Sequence, residues 1–502
     1  MPDRHRNFIH GEWRDARSGL TFPDINPSDT DDLIGFFPQS GPEDVDDAVT
    51  AAANALPAWR RTPAPKRAEL MFRVGEIMTR RKEELSRLMT REMGKVLSEA
   101  RGDVQEAIDT AYHIAGEGRR LHGITTPSEL PDKWAMTIRQ PIGVAGLITP
   151  WNFPIAIPTW KSFPALVAGC TVVLKPAEDT PLCATELVRV FHEAGFPAGT
   201  VNLVHGGGPD VGAPLVRHKD VGVVSFTGSS EVGRQIAESC GRALKRCSLE
   251  MGGKNAQIVL EDADLDLAIQ GSLWGAFATT GQRCTATSRI IVQRSIHDRY
   301  VERLAAEAAR VRIGYGLEDG IQMGPLINEG QRTTVAKYVD IGKAEGARLV
   351  CGGAAYREGR CARGFFFQPT VFDRVTPSMR IAREEIFGPV ASVIAVDDLD
   401  QAIQVLNGTS YGLSSSIYTR DVAGAFRAMS EIECGIVYVN GPTIGAETHL
   451  PFGGWKDTGN GHREGGVSAF QAFTEEKTIY VDYSGRLQRA QIDNQPALES
   501  RP

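Results

Sequence analysis

The stretch that best decides the fold is "VGVVSFTGSSEVGRQIAESCGRALK", residues 221–245. Its first part is β-branched and apolar, which is typical of a buried strand. Small residues follow at 228–230, and apolar residues then recur at Val232, Ile236 and Cys240, the spacing of one helix face. The stretch therefore predicts a strand, a tight turn and a helix, the repeating unit of a parallel α/β sheet.

Short β-branched runs of the same kind recur along the chain in two series. From residue 140 they read "IGVAGLIT", "TVVLKP", "VNLVHG", "VGVVSFTG" and "AQIVLE", and over residues 285–440 they read "SRIIVQR", "RLVCGG", "VASVIAV", "SSSIYTR" and "CGIVYVN". Helical segments separate them, so the pattern predicts two doubly wound α/β domains. Residues 45–120 instead show helical spacing throughout and predict consecutive amphipathic helices.

Two further segments alternate between apolar and polar residues as strands with one wet face do. They are "KWAMTIRQP" (133–141) and "KTIYVDYS" (477–484), and both lie outside the two α/β series. They could pair as an arm that contacts another subunit, or they could be simple edge strands.

Composition narrows the class of protein. With 502 residues, a net charge of −7 and no basic patch, the chain is not expected to bind nucleic acid. The longest apolar stretch, residues 163–174, is too short to span a bilayer, and the N-terminus has no signal-peptide core. Eight Cys without framework spacing fit a reducing compartment, so we expect a cytoplasmic protein, and the absence of HExxH and CxxC motifs argues against a metal site.

Three segments could bind a dinucleotide, and each also has a plainer interpretation. Gly228, Ser229 and Ser230 begin a helix, where free N–H groups suit a pyrophosphate, although a Ser there is often only an N-cap. Glu178, close behind Lys175 at a strand end, could bind ribose hydroxyls and repel a 2′-phosphate, or the two could be a surface pair. "HGGGPDVG" (205–212) could be a dinucleotide loop or an ordinary tight turn.

Two residues could perform chemistry. Glu250 stands before two glycines in "SLEMGGKNA" and could be a general base or a salt-bridge partner. Cys284, in "GQRCTATSR", has polar neighbours, and the cation of Arg283 is expected to lower the pKa of its thiol. The alternative is a buried structural thiol, which is common for cysteine.

Seven motifs together identify a resemblance. "TPWNFP", "LKPAEDTP", "FTGSSEVG", "LEMGGKNA", "GQRCTA", "EEIFGPV" and "PFGGWKDTGNGHREGG" occur in the order and spacing of the aldehyde dehydrogenase superfamily, from about residue 8 to 484. The resemblance implies two doubly wound α/β domains and a β-arm for oligomerisation. The NAD-binding domain would take residues 1–122 and 143–252, the catalytic domain 253–455, and the arm 123–142 and 474–495, in a homodimer or homotetramer.

The resemblance also implies a reaction, the NAD-dependent oxidation of an aldehyde to a carboxylic acid. Cys284 would attack the aldehyde carbon, and the Asn152 amide and the Cys284 backbone N–H would hold the oxyanion. Glu250 would activate the water that hydrolyses the resulting thioester. Lys161 and Glu464 fall on family positions linked to proton movement.

The cofactor contacts carried over by resemblance form a larger set. Lys175 and Glu178 would hold the adenine ribose, Ser229 the pyrophosphate and Glu385 the nicotinamide ribose, with Phe387 beside the ring. The other positions expected at the cofactor are Ile148, Thr149, Trp151, Gly208, Thr227, Gly228 and Val232.

Arg283 indicates a substrate that carries its own carboxylate, which a guanidinium binds bidentately. "GQRCT" resembles the α-aminoadipic semialdehyde dehydrogenase (antiquitin) branch, in which Glu106 would meet the substrate ammonium and the backbones of Gly445 and Ala446 would assist. Other possibilities are a 2-oxoglutaric, glutamic or succinic semialdehyde dehydrogenase, a broad-range aldehyde dehydrogenase, or a non-catalytic protein on the same fold. Thr279 and Thr280 replace the Asn-Gln that many members carry before the cysteine motif.

Overall fold

The computed structural model describes residues 3–492. The strands are β1 Asp3–Arg4, β2 Asn7–Ile9, β3 Glu12–Arg14, β4 Thr21–Ile25, β5 Leu33–Pro38, β6 Thr125–Pro127, β7 Lys133–Pro141, β8 Val144–Ile148, β9 Thr171–Lys175, β10 Val201–Leu203, β11 Val221–Thr227, β12 Arg246–Glu250, β13 Ala256–Val259, β14 Arg289–Gln293, β15 Arg348–Cys351, β16 Thr370–Asp373, β17 Val390–Val396, β18 Tyr411–Gly412, β19 Ser414–Tyr418, β20 Ile436–Val439, β21 Trp455–Lys456 and β22 Thr474–Asp482.

The helices follow the same chain order. They are α1 Pro42–Arg61, α2 Ala64–Arg80, α3 Lys82–Met93, α4 Leu97–Glu117, α5 Ala156–Ala168, α6 Pro181–Ala194, α7 Ala213–Arg217, α8 Ser230–Arg242, α9 Leu265–Phe277, α10 His297–Ala308, α11 Glu329–Ala344, α12 Arg380–Arg383, α13 Leu399–Asn407, α14 Val422–Glu431 and α15 Ala469–Phe473. Within the described residues none of these helices is long and apolar enough to cross a membrane.

The first large sheet has the strand order β12-β11-β8-β9-β10-β2-β3. Strands β12 to β10 run parallel, and β2 and β3 close the edge in antiparallel fashion. Successive residues of a strand face opposite sides: Val172 packs into one apolar cluster and Val173 into another. Because helices cover both sides, the β-branched runs are buried throughout, and the predicted doubly wound arrangement is confirmed.

The second large sheet has the order β15-β16-β17-β14-β13-β19-β20, parallel except for β15. Its central strand β14 is fully buried at Ile290, Ile291 and Val292. The chain passes from the first sheet to the second in the short segment between Glu250 and Ala256.

The third sheet joins the two alternating segments. Strand β22 pairs antiparallel with all nine residues of β7, from Thr474 opposite Pro141 to Asp482 opposite Lys133, and β6 adds a third strand. The prediction that these segments pair is therefore confirmed. Residues 493–495 of the expected arm lie outside the described residues.

The sequence patterns missed several strands. Strand β12 was interpreted only as a glycine turn, because "RCSLE" holds a single large aliphatic residue, although Ser248, Leu249 and Glu250 are all buried. Strand β16 and the N-terminal strands β1 to β5 were also not anticipated. The helices α1 to α4 lie in the region where helical spacing predicted them.

Candidate active site

The carboxyl edge of the first sheet gathers the expected cofactor positions. Ile148, Lys175, Thr227 and Glu250 are the last residues of β8, β9, β11 and β12. Parallel strands end at the same edge, so four residues spread over a hundred positions of sequence become neighbours. Ligands bind at this edge in open α/β sheets.

A charged group closes one side of this edge. Lys175 Nζ lies 2.8 Å from Glu178 Oε2, and the Gly208 N–H donates to Glu178 Oε1 at 3.1 Å. Lys175 is almost fully buried, whereas the Glu178 side chain is 44% exposed. The structure thus brings Lys175, Glu178 and Gly208 together, with a carboxylate facing solvent where ribose hydroxyls could reach it.

The turn after β11 places backbone N–H groups at the same edge. The Ser229 side chain caps α8 by accepting from Val232 N at 3.3 Å, and the Gly228 N–H donates to the Glu250 carbonyl at 3.1 Å. Val232 is 43% exposed on the first turn of the helix. The capping interpretation of Ser229 is confirmed, and the helix dipole still favours an anion here.

A second acidic position lies across the edge. The Gly253 N–H donates to Glu385 Oε1 at 2.9 Å, and a Cβ at Gly252 would sit 2.0 Å from Glu385 Oε2, so a side chain at residue 252 would displace the Glu385 carboxyl. Burial raises the pKa of Glu385 to about 7.

The remaining expected cofactor positions are joined by an aromatic contact and a backbone bond. Phe387 adopts a left-handed φ of 55° and packs edge-on against Trp151 with ring centroids 5.4 Å apart. The Thr149 N–H donates to the Lys175 carbonyl at 3.1 Å, which ties the end of β8 to the end of β9.

One cavity adjoins this edge and brings together the expected substrate positions and two of the expected catalytic residues, Cys284 and Glu250. Its walls are formed by Glu106, Phe153, Ile157, Trp160, Thr227, Glu250, Met251, Arg283, Cys284, Thr285, Gly445, Ala446, Phe452 and Glu464. Apolar atoms supply most of the lining surface, and four of the residues carry ionisable acidic or basic side chains. That is the usual construction of a site for a small, partly apolar molecule.

The environment of Cys284 differs from the expectation in one respect. Arg283 was expected to lower the pKa of the Cys284 thiol. Instead, burial raises this pKa well above its ordinary value, and the carboxylates of Glu385, Glu250 and Glu464 raise it further. The prediction was wrong because burial is the main cause of the shift and Arg283, whose Nη2 pairs with Glu99 at 3.7 Å, is not among the groups that shift the thiol pKa.

Glu250 is a buried carboxylate without a hydrogen-bond donor. It is 3% exposed, and neither side-chain oxygen has a hydrogen-bond partner among the described residues. Burial, and secondarily Glu464, raises its pKa well above the ordinary value, while Lys161 and Arg463 oppose the shift. The ionised form of such a carboxyl group is a strong base, and Glu250 forms no salt bridge within residues 3–492, so the general-base interpretation fits and the salt-bridge alternative does not.

Lys161 and Glu464 form a buried ion pair on the Glu250 side of the cavity. Lys161 Nζ donates to Glu464 Oε1 and, at 3.1 Å, to Ser225 Oγ. Glu464 is held by mutual backbone bonds with Phe452. The pair could exchange a proton with a neighbouring carboxylate.

Asn152 lies next to the cysteine loop. One N–H of its side-chain amide donates to the Gln282 carbonyl at 3.1 Å, and Lys95 Nζ donates to the Asn152 carbonyl at 2.7 Å. Lys95 in turn pairs with Asp103 at 2.9 Å. The amide is therefore fixed beside the segment that carries Cys284.

Arg283 faces the cavity, which the sequence left undecided. Its guanidinium carbon lies 5.2 Å from the Phe153 ring centroid and 5.6 Å from that of Trp274, and its Nε donates to Thr279 Oγ1 at 3.0 Å. Glu106 lies on the same wall, and burial raises its pKa to about 8. Sequence reasoning missed Glu99, because a Glu near a helix start is usually a solvated surface charge.

The chain is similar to known proteins over nearly its whole length. The model of the "Aldehyde dehydrogenase family" matches residues 13–479. The alpha-ketoglutaric semialdehyde dehydrogenase of Bacillus subtilis (strain 168) is 43% identical over 475 residues, covering 95% of this chain and 97% of that protein. The alpha-ketoglutarate semialdehyde dehydrogenase of Haloferax volcanii is 42% identical over 484 residues, covering 96% of this chain and 100% of that protein.

Solved structures share the fold. The betaine aldehyde dehydrogenase of Staphylococcus aureus, crystallised in complex with NAD+, superposes with a TM-score of 0.94 at 34% identity, over 96% of this chain and 95% of that one. The segment matched by the family model contains the parallel strands of the first large sheet and the whole of the second. The chain therefore belongs to the aldehyde dehydrogenase family.

Proposed function

We propose that the protein oxidises a short aldehyde bearing a distal carboxylate, with a 2-oxoglutaric semialdehyde as the best candidate, to the free acid with NAD. The observation that carries the proposal is that Arg283 lines the same cavity as Cys284. A guanidinium there is matched by a substrate anion and is poorly matched by an apolar aldehyde. The names of the two semialdehyde dehydrogenase relatives support the same substrate class.

NAD fits the residues at the sheet edge. Glu178 presents a half-exposed carboxylate beside Lys175, suited to two ribose hydroxyls and unfavourable to a 2′-phosphate. The start of α8 offers N–H groups to the pyrophosphate, and Glu385 offers a second carboxylate to the other ribose. When bound, the nicotinamide supplies the hydride acceptor for the oxidation.

Cys284 is the nucleophile in this proposal. Its raised pKa means that the thiol needs a base, and Glu250, a buried carboxylate on the same cavity, takes the proton. The thiolate attacks the aldehyde carbon, and the new C–S bond leaves a negative charge on the former carbonyl oxygen. The second N–H of the Asn152 amide and the Cys284 backbone N–H hold this oxyanion. Loss of hydride then gives a thioester.

Hydrolysis of the thioester returns Glu250 to the role of base once the proton taken from Cys284 has left through the neighbouring Lys161–Glu464 pair. Glu250 then removes a proton from a water molecule, the water oxygen attacks the thioester carbon, and the C–S bond breaks to release the carboxylic acid. This second proton passes from Glu250 to the Cys284 thiolate. Atoms balance when one aldehyde, one water and one NAD+ give one acid, one NADH and one proton.

Glu106 makes α-aminoadipic semialdehyde the second candidate. Its carboxyl lies on the same wall as Arg283, so a substrate with both ammonium and carboxylate could be bound. The raised pKa of Glu106, about 8, favours the first candidate at neutral pH, because a protonated carboxyl donates to a 2-oxo group and gives an ammonium no counter-charge.

We also infer that the third sheet serves assembly into a dimer or tetramer. Trp134 on β7 and Tyr480 on β22 are 56% and 64% exposed, which is unusual for large side chains on a sheet. Sedimentation of the wild type beside a Trp134→Ser, Tyr480→Ser variant tests the assembly role. A monomeric variant supports this role, and an unchanged mass contradicts it.

We further propose that residues 1–122 and 143–252 form the cofactor domain and that residues 253–455 form the catalytic domain.

The substrate is tested by NADH formation with a panel of aldehydes at saturating NAD. The panel holds 2-oxoglutaric, glutamic, succinic and α-aminoadipic semialdehydes with hexanal and benzaldehyde. We expect the highest kcat/KM for 2-oxoglutaric semialdehyde, with Glu106→Gln altering it little. A best rate with α-aminoadipic semialdehyde that Glu106→Gln abolishes would establish the second candidate, and a best rate with hexanal would refute both.

A further inference from the structure

The segment that leads into Cys284 contains an unusual turn. Thr279 and Thr280 both adopt left-handed backbone conformations, with φ of 50° and 59°. Positive φ is disfavoured for β-branched residues because the side chain crowds the backbone. Such a turn persists only where surrounding contacts stabilise it, so specific contacts must hold Thr279 and Thr280 in this conformation.

Glu99 is the main support of this turn. Its side chain is 1% exposed, and its two carboxylate oxygens accept from the Thr279 N–H at 2.9 and 3.0 Å. Thr280 is held separately, by donation from its hydroxyl to the Gly324 carbonyl at 3.0 Å. The two threonines therefore stabilise one turn through different partners.

The Thr279 hydroxyl has a second task that Thr280 lacks. It donates to Glu99 Oε2 at 3.3 Å and accepts from Arg283 Nε at 3.0 Å. A hydroxyl can donate once and accept at the same time, and both capacities are used here. The hydroxyl thereby connects a fixed buried carboxylate to the arginine that lines the cavity.

This link leaves the terminal nitrogens of Arg283 without a hydrogen bond. Nε donates to Thr279, and Nη2 forms an ion pair with Glu99 at 3.7 Å, which is longer than a hydrogen bond. Within residues 3–492 neither terminal nitrogen donates a hydrogen bond to protein. The Phe153 and Trp274 rings limit rotation of the guanidinium plane.

We propose that Thr279, held by Glu99, is a positioning residue that sets specificity for anionic aldehydes by holding the Arg283 guanidinium at the cavity wall, where its terminal nitrogens can donate to a substrate carboxylate. The inference rests on the proposed function for its substrate class, a short aldehyde with a carboxylate. It gives a role to a position at which this chain departs from the commonest form of the cysteine motif. Glu99 acts only through Thr279 and Arg283 and does not touch the substrate.

The test measures the charge that Arg283 presents to Cys284 without using an aldehyde. Iodoacetate and iodoacetamide alkylate the same sulfur, which displaces iodide from either reagent, but only iodoacetate carries a carboxylate. The rate for each reagent is measured by mass spectrometry of the Cys284 peptide. The ratio of the iodoacetate rate to the iodoacetamide rate reports the guanidinium, and the neutral reagent corrects for changes in thiol reactivity.

Four variants separate positioning from a merely structural role. Arg283→Met is expected to lower the ratio about tenfold and Thr279→Val about threefold to fivefold, because the charge or its orientation is lost. Thr279→Ser keeps the hydroxyl and should retain the ratio. Thr280→Val is the matched control, since it removes one hydrogen bond from the same turn without touching Arg283.

The outcomes are distinct. If Thr279→Val keeps the wild-type ratio, or if Thr280→Val lowers it as much, the inference is wrong. Thermal unfolding of each variant is measured alongside, and if Thr279→Val does not fold, a lowered ratio in Thr279→Ala with recovery in Thr279→Ser is required in its place. A Thr279-dependent ratio together with no preference for semialdehydes over hexanal would keep the positioning role and refute the proposed substrate class. The reverse result would refute the positioning role alone.

Discussion

The cofactor edge and the substrate wall of the same site are built in different ways. At the edge, Lys175, Thr227 and Glu250 are each the last residue of a buried parallel strand. At the wall, Glu106 comes from the middle of α4 and Arg283 from a loop that a strained turn supports. Main-chain pairing fixes the first region, whereas side-chain contacts fix the second. Changes at the wall should therefore alter substrate choice while cofactor binding persists.

The largest expected effect is at Glu250, where the two regions meet. Glu250→Gln removes the base for thioester hydrolysis, and we expect steady-state turnover to fall about a thousandfold. A single burst of NADH should remain if another group can deprotonate Cys284, and the burst itself should slow if Glu250 is also the base for the thiol. Stopped-flow absorbance separates the two steps, and undiminished steady-state turnover would contradict the assignment.

The second prediction uses pH to sharpen the contrast at the wall. The pKa of Glu106 is raised to about 8, so the carboxyl is neutral below that pH and charged above it. Above pH 8 the charge repels a substrate carboxylate, and KM for 2-oxoglutaric semialdehyde should rise about fivefold to tenfold between pH 7 and 9. For α-aminoadipic semialdehyde the sign reverses, because an ionised Glu106 attracts the ammonium.

The control for this pH dependence is chemical. The glutamine side chain in Glu106→Gln cannot ionise, and hexanal carries no charge that Glu106 could repel. The rise in KM with pH should therefore be absent both in this variant and with hexanal. If the rise persists in Glu106→Gln, another ionisable group causes it.

A smaller effect is expected at the cofactor edge. Glu178→Ala removes the carboxylate that is suited to the ribose, so KM for NAD should increase about fivefold and the discrimination against NADP should weaken. The substrate ratio between 2-oxoglutaric semialdehyde and hexanal should stay at its wild-type value. A change in that ratio would mean that the two regions are coupled more closely than their construction indicates.

The smallest effect is expected at Ser229. Its side chain caps α8, and Ser229→Ala should lower the free energy of unfolding by about 1 kcal/mol. KM for NAD should change little, since the pyrophosphate is held mainly by backbone N–H groups. Denaturant unfolding with NAD titration measures both, and a large loss of NAD affinity would give the hydroxyl a direct binding role.

The same contrast explains what the sequence could and could not predict. The ends of β8, β9 and β11 follow from short β-branched apolar runs, so Lys175 could be placed at a strand end in advance, and Thr227 was expected at the cofactor from the resemblance. Strand β12 was missed, but Glu250 was found because of its glycines. Glu99 could not be found, because its role depends on a turn 180 residues later in the chain. No pattern of residues predicts the positive φ angles of that turn. The predicted direction of the Cys284 pKa shift was wrong for the same reason. The position of Arg283 next to Cys284 in the sequence does not reveal that its guanidinium pairs with Glu99.

The most direct test of the account is the kcat/KM for 2-oxoglutaric semialdehyde divided by that for pentanal, in the wild type and in Arg283→Met. Both aldehydes have five carbons, so the quotient isolates the polar groups. We predict that the wild type strongly prefers the semialdehyde. Arg283→Met should lower the quotient about thirtyfold, because it removes a charge-assisted pair of hydrogen bonds to the substrate carboxylate. An unchanged quotient would show that Arg283 does not bind the carboxylate and would contradict the proposed substrate class.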